Sequence, residues 1–145
     1  MLKATLRTLD GDHDVTFLVN TRVFDLKKIN IKAINIEDEN NIVLKVGDDC
    51  TIYCTDSIDM EFHCGDNCKI YCDSENTIKT GDNCLVDCFS YNDIRCGNMC
   101  KIDCGDSNDI TMGSDCNMRC GCGCDILSMD GCNIKINKQD AYYVG

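Results

Sequence analysis

The chain has no proline and no tryptophan, and positive charge is scarce: fourteen Lys and Arg stand against twenty-five Asp and Glu, a net charge of −11. Without proline, no position is barred from a β-ladder by a missing N–H. Phe and Tyr occupy only nine of 145 positions, which suits a thin core with no room for large rings. His13 and His63 are the only histidines, so zinc centres and histidine-based catalysis have little to draw on. No stretch approaches the roughly twenty apolar residues of a membrane span. The start, MLKATLRTLDGDHD, carries no apolar run of signal-peptide length. These absences lead to the expectation of a single-domain cytoplasmic protein with no membrane partner.

What the chain does have is a repeat. From Gly47 onward it recurs every sixteen residues, each repeat being two unlike octads. The first octads are GDDCTIYC (47–54), GDNCKIYC (65–72), GDNCLVDC (81–88), GNMCKIDC (97–104), GSDCNMRC (113–120) and MDGCNIKI (129–136). Between them stand DSENTIKT (73–80), FSYNDIRC (89–96), GDSNDITM (105–112) and GCGCDILS (121–128). A short fixed period means stacked units that bury a core no single unit could build. In each octad a Gly/Asp/Asn turn leads into alternating inward and outward residues, the mark of a strand with one buried face. Glycine at the head of the turn is expected to supply a positive φ. Two strands and two turns close one flattened coil, and coils stack in parallel at about 4.8 Å. The predicted fold is all-β: a narrow parallel β-solenoid over 31–136, cysteine-rich from 47. A β-hairpin-like cap over 1–30 and a tail over 137–145, its Asp140–Tyr143 stretch covering the other end, complete the organisation.

Threading the octads gives the inward columns. One runs Cys50, Cys68, Cys84, Cys100, Cys116, Cys132, the next Ile52, Ile70, Val86, Ile102, Met118, Ile134, and the third Cys54, Cys72, Cys88, Cys104, Cys120, Ile136. On the facing wall the columns are Leu44, Met60, Ile78, Ile94, Ile110, Ile126 and Ile42, Ile58, Asn76, Asn92, Asn108, Cys124. Residues 31–46 fit the same frame with Ile, Leu and Val where later coils use Cys, and two extra residues are placed near His63 and Cys64 as a bulge or longer turn. Inward Asn76, Asn92 and Asn108 break the apolar rule, and two readings stay open: an amide stack along the axis, or turn residues capping backbone groups.

Fifteen cysteines invite four readings. Disulfides fit poorly: Cys68 and Cys72 lie about 13 Å apart along one strand, facing walls about 10 Å apart, and only column neighbours fall inside the roughly 7 Å limit. Metal binding has its densest candidate in Cys120, Cys122 and Cys124, but the CxxxC spacing follows from strand alternation, and no metal centre or other cofactor is expected. Cys122, at a turn, is the expected reactive thiol. A catalytic cysteine has one possible partner, His63 beside Cys64, and adjacent strand residues point to opposite sides, so no catalytic residue is assigned. The fourth reading, taken here, makes cysteine a small buried hydrophobe.

Residues 1–46 carry seven basic and seven acidic residues, so all the excess negative charge lies from residue 47 onward, with seven basic and eighteen acidic. Asp48, Asp66, Asp82 and Asp130 share one turn position, and Asp93, Asp109 and Asp125 share an outward strand position. Together they form the candidate partner-binding edge; turn formation and solubility are the plainer reading of the same residues. Such a surface repels nucleic acid and attracts a basic protein. The glycine-rich nonapeptide of calcium β-rolls is absent, and the outward pairs (Thr51/Tyr53, Lys69/Tyr71, Leu85/Asp87, Lys101/Asp103) are too irregular to match an ice lattice.

Over 47–136 the octad GDNCxIxC resembles the octapeptide solenoids of phage and secretion-system spikes, whose repeats run like VGGNxTxx. Those spikes intertwine three chains with one kind of octad and have Val-rich columns without cysteine. The resemblance implies a β-solenoid of phage or bacterial origin, placed in the host cytoplasm if phage-encoded, and carries no site residue. In style the chain is also similar to pentapeptide-repeat solenoids that imitate DNA, without their A[DN]LXX repeat. The expected function is therefore non-enzymatic: an acidic solenoid binding a basic protein, as a phage-type inhibitor of a nucleic-acid-handling defence protein does by charge mimicry. The alternative is a virion or scaffold component that assembles through the solenoid ends, as a homo-oligomer, or as a trimer.

Overall fold

The computed structural model describes residues 2–17 and 21–136. The strands are β1 (Leu2–Thr8), β2 (Gly11–Phe17), β3 (Val23–Asp25), β4 (Ala33–Glu37), β5 (Val43–Lys45) and β6 (Thr51–Thr55). They continue with β7 (Glu61–His63), β8 (Lys69–Tyr71), β9 (Thr77–Lys79), β10 (Leu85–Asp87) and β11 (Asp93–Arg95). The last are β12 (Lys101–Asp103), β13 (Asp109–Met112), β14 (Asn117–Cys120), β15 (Asp125–Ser128) and β16 (Asn133–Ile136). Even-numbered strands from β4 to β16 form one wall and odd-numbered strands from β3 to β15 the other, each wall a parallel ladder. This is a two-strand-per-coil β-solenoid. The β1–β2 hairpin closes its N-terminal end: β1 pairs antiparallel with β4 on one side and with β2 on the other. The Asp140–Tyr143 tail lies outside the described residues.

Between β8 and β14 register advances by sixteen residues per coil, as in Lys69↔Leu85↔Lys101↔Asn117. The two earlier coils are longer. Ala33 pairs with Thr51 and Thr51 with Lys69, an advance of eighteen each time, and β4 and β6 run for five residues where β8 runs for three. The additional residues therefore extend the first-wall strand and the turn after it, ahead of Glu61, and do not sit near His63 and Cys64. This corrects two column members. Phe62, fully buried, stacks between Leu44 and Ile78. Met60 takes the place above Asn76, and Ile58 is exposed.

The core is the space between the walls. Ile34, Ile52, Ile70, Val86, Ile102 and Met118 line one side, and Phe24, Leu44, Phe62, Ile78, Ile94 and Ile110 the other, all buried. Cys50, Cys54, Cys68, Cys72, Cys84, Cys88, Cys100, Cys104, Cys116 and Cys120 are buried with them, while Cys132, in the last coil described, is half-buried. None of the fifteen cysteines, all among the described residues, is joined in a disulfide.

Candidate protein-docking edge

Each coil has two turns. The first, 65–68 in one coil, leads into the even-numbered wall; the second, 73–76, leads into the odd-numbered wall. Both place a left-handed residue just before an inward one. The left-handed residues at this place are Asp49, Asn67, Asn83, Met99, Asp115 and Gly131 in the first turn, and Asn41, Asp59, Glu75, Tyr91, Ser107 and Gly123 in the second. The glycines at 65, 81, 97 and 113 are not the positive-φ residues, contrary to the expectation from their place in the octad. They are needed for a different reason. A Cβ on Gly81 would overlap Asp66 Oδ1, and the same clash joins Gly65 to Asp48, Gly97 to Asp82 and Gly113 to Asn98.

That closeness lets a turn side chain of one coil accept a main-chain N–H of the next. Asp66 donates its N–H to Asp48 Oδ1 (2.7 Å), Asp82 to Asp66 Oδ1 (2.8 Å), Asn98 to Asp82 Oδ1 (2.8 Å) and Ser114 to Asn98 Oδ1 (2.9 Å). Opposite, Ser90 donates to Ser74 Oγ, Asp106 to Ser90 Oγ and Cys122 to Asp106 Oδ1. Asp48, Asp66 and Asp82 thus form one stacked row, as the octads placed them, and each spends a carboxylate oxygen on the backbone.

The inward Asn residues do two jobs at once. Asn92 Oδ1 accepts the Asn76 N–H at 2.9 Å and Asn108 Oδ1 the Asn92 N–H at 2.8 Å, while Asn92 Nδ2 donates to Asp73 O and Asn108 Nδ2 to Phe89 O. The ladder runs from side chain to backbone, and the same amides cap the turn. Cysteine does the same at the equivalent place in the other turn. Cys84 Sγ accepts the Cys68 N–H (3.4 Å) and donates to Gly65 O (3.3 Å), and Cys100 and Cys116 repeat the pattern. Within the Asn column itself Cys124 substitutes, accepting the Asn108 N–H and donating to Gly105 O. These thiols are hydrogen-bonding turn caps as well as core fillers, a role that the hydrophobe reading lacks. Burial pushes the Cys50 thiol up to about 12 and the Cys54 thiol up to about 11.

The acidic residues fall on two separate edges. Asp48, Asp66, Asp82 and Asp130 lie along the first turn. Asp93, Asp109 and Asp125 stack on one another at the start of the odd-wall strands, beside the second turn. Residues that the octad reading did not single out join this second edge: Asp87 and Asp103 stack at the end of the even-wall strands, and Asp73, Glu75 and Asp106 occupy the turn between. The Asp87 carboxyl is raised, by burial first and by the Asp103 charge second. Only Arg95, 3.6 Å from Asp93 Oδ1, forms an ion pair with the stacked carboxylates among the described residues.

The second edge also carries exposed rings. Tyr53 and Tyr71 stack with ring centroids 5.2 Å apart and 7° between planes. Together with Asp73, Asp87 and Phe89 they line a shallow groove. Phe89 (61%) and Tyr91 (68%) are widely exposed on the following turn. Four of the nine aromatic residues in the chain thus lie on one edge, a clustering visible in the octads once the second turn is identified.

Elsewhere, His63 Nε2 lies 3.3 Å from Glu61 Oε1, and Cys64 turns to the core side. Lys79, 3.2 Å from the same oxygen, holds the Glu61 carboxyl below its ordinary value. Cys122 is half-buried, as are Cys64, Cys96, Cys124 and Cys132, so exposure does not single it out. No helix among the described residues is long and apolar enough to cross a membrane. No family model, curated protein or solved structure matches the chain.

Proposed function

We propose that this solenoid is a non-enzymatic docking protein that binds a basic protein along its second-turn edge. The observation that carries the reading is the union, on that edge, of stacked carboxylates with a stacked Tyr pair and two exposed rings. Carboxylates attract and steer a cationic surface. A Tyr face holds a guanidinium or ammonium group by cation–π attraction, and aromatic anchors dominate interface energies.

Charge spacing supports the finer form of the proposal, a phage-type inhibitor that imitates DNA. Asp73, Glu75, Asp87, Asp93, Asp103, Asp106 and Asp109 are seven acidic residues in three successive coils. At about 4.8 Å per coil this is about 2 Å of axis per charge, close to the roughly 1.7 Å of duplex DNA. The first-turn row, interrupted by Asn98 and Ser114 and half engaged with the backbone, is a poorer mimic. The likeness to phage octapeptide solenoids belongs to this proposal as well.

The test is affinity capture from a bacterial lysate with the protein and with a variant carrying Asp87→Asn, Asp93→Asn, Asp103→Asn and Asp109→Asn. The expected result is a basic nucleic-acid-handling protein, captured at low salt, released by added salt, and missed by the variant. Capture that ignores salt, or that the variant retains, would count against it.

A second reading has its own observation. The side chains of β16 are exposed, Ile134 and Ile136 among them, and β2 borders only β1. An end that stacks on another copy would make this a scaffold component. Light scattering separates the two: a monomer or dimer favours docking, a trimer or polymer the scaffold.

A further inference from the structure

Cys96 directly follows β11, its N–H donating to Thr111 O, and the chain turns at once into Cys100 at the head of the even wall. The turn brings the two thiols together, and Cys116, one coil on from Cys100, completes a group whose three sulfurs all lie within 4.8 Å of one another. Neither the strand period nor the column rule predicts this, because it joins a member of one wall to two stacked members of the other.

We propose that Cys96, Cys100 and Cys116 bind a soft monovalent cation, Cu(I), through three thiolates. The first argument is geometric. Metal–sulfur bonds of about 2.3 Å put three trigonal sulfurs about 4 Å apart, so closure asks each pair to move by less than about an ångström. The second is ligand number. Cys84 stacks on Cys100 from the side away from Cys116, so no fourth cysteine converges on the same point. Zinc asks for four ligands, whereas all-thiolate sites of lower coordination suit Cu(I).

The third argument is that the surroundings already serve thiolates. Cys100 Sγ accepts the Cys84 N–H and Cys116 Sγ the Cys100 N–H, both at 3.4 Å, the outer hydrogen bonding that metal-bound sulfur uses. Cys96 is half-buried and offers the way in, while its two partners are buried. On binding, three S–H bonds break, three Cu–S bonds form and three protons leave to solvent, with no change of oxidation state. The thiols of Cys100 and Cys116 give up their hydrogen bonds to Gly81 O and Gly97 O.

The protein carries its own control. One coil before Cys96, the same position beside Cys84 and Cys100 is Thr80. Cys96→Thr therefore installs a side chain that the fold already accepts there. The experiment is an anaerobic titration of the full chain with Cu(I) supplied as its acetonitrile complex, against a chromogenic Cu(I) chelator, with far-ultraviolet circular dichroism followed in parallel. The expected result is one tightly held equivalent with the sheet signal intact, lost in Cys96→Thr and in Cys96→Ser but kept in Cys54→Val, which removes a distant core thiol. Equal uptake by wild type and the Cys96 variants would overturn the proposal, as would uptake only with loss of sheet signal, or none at all.

Discussion

Asp66 and Gly81 are a matched pair: the carboxylate of one reaches through the space left by the missing side chain of the other, and accepts the Asp82 N–H at 2.8 Å. The pairing recurs along the chain. Where the earlier turn carries Asp or Asn, the later coil carries Gly, as in Asp82 with Gly97, Asn98 with Gly113 and Asp106 with Gly121. Where the earlier turn carries Ser, a large residue is tolerated: Phe89 follows Ser74 and Met129 follows Ser114.

Gly81→Ala should therefore expel the Asp66 carboxylate and strand the Asp82 N–H, costing about 1–3 kcal/mol. The double variant Asp66→Ser with Gly81→Ala should recover much of that loss, because it recreates the Ser74–Phe89 arrangement. Urea midpoints of the single and double variants check this. A double variant no better than Gly81→Ala would refute the pairing.

Asn92 is buried and satisfied through both ends of its amide, Oδ1 accepting the Asn76 N–H and Nδ2 donating to Asp73 O. Asn92→Ala should lose about 1–3 kcal/mol, since it leaves the Asn76 N–H without an acceptor. Asn92→Cys should be milder, because Cys124 fills that place in the same column two coils on. The ordering of the two urea midpoints is the readout.

Met99 holds left-handed backbone at φ 56°, where the equivalent residues of the two preceding coils are Asn83 and Asn67. Bulky side chains are disfavoured there and Asn is tolerated. Met99→Asn should raise stability by about 0.5–1 kcal/mol, seen as a higher thermal midpoint.

Raised thiol pKa values set an alkaline limit. A thiol whose folded value lies above its ordinary 9.0, as at Cys50 (about 12) and Cys54 (about 11), favours the folded state in full below pH 9. Above that the unfolded chain releases its proton first, and stability falls as pH rises toward 11 and 12. Urea midpoints taken in reducing buffer should drop over this window. Cys54→Val, with one fewer thiol to ionise, should show a shallower drop.

The solenoid was legible because the period-2 pattern within each octad fixes which residues face inward, and Cys68, Ile70 and Cys72 face inward as that pattern requires. The slip at Ile58 and Met60 came where two longer coils break the period: both residues are apolar and in phase, so alternation could not tell which stacked on Asn76. The capping role of cysteine was harder to see, since a thiol is read as apolar until a carbonyl and an N–H stand on either side of it. Its one sequence signal is Cys124 in a column of Asn. The acidic edge was half legible. Asp93, Asp109 and Asp125 share a strand position, but their nearness to Asp87 and Asp103 depends on how the second turn joins the two walls.

Hydrogen exchange at the turns tests the account most directly. The amides of Asp66, Asp82 and Asn98, and those of Asn76 and Asn92, should be protected to the same degree as strand amides such as Ile70 and Val86, because side chains of the neighbouring coil accept them. Exchange at these five amides as fast as in an open loop, with the strands still protected, would contradict it.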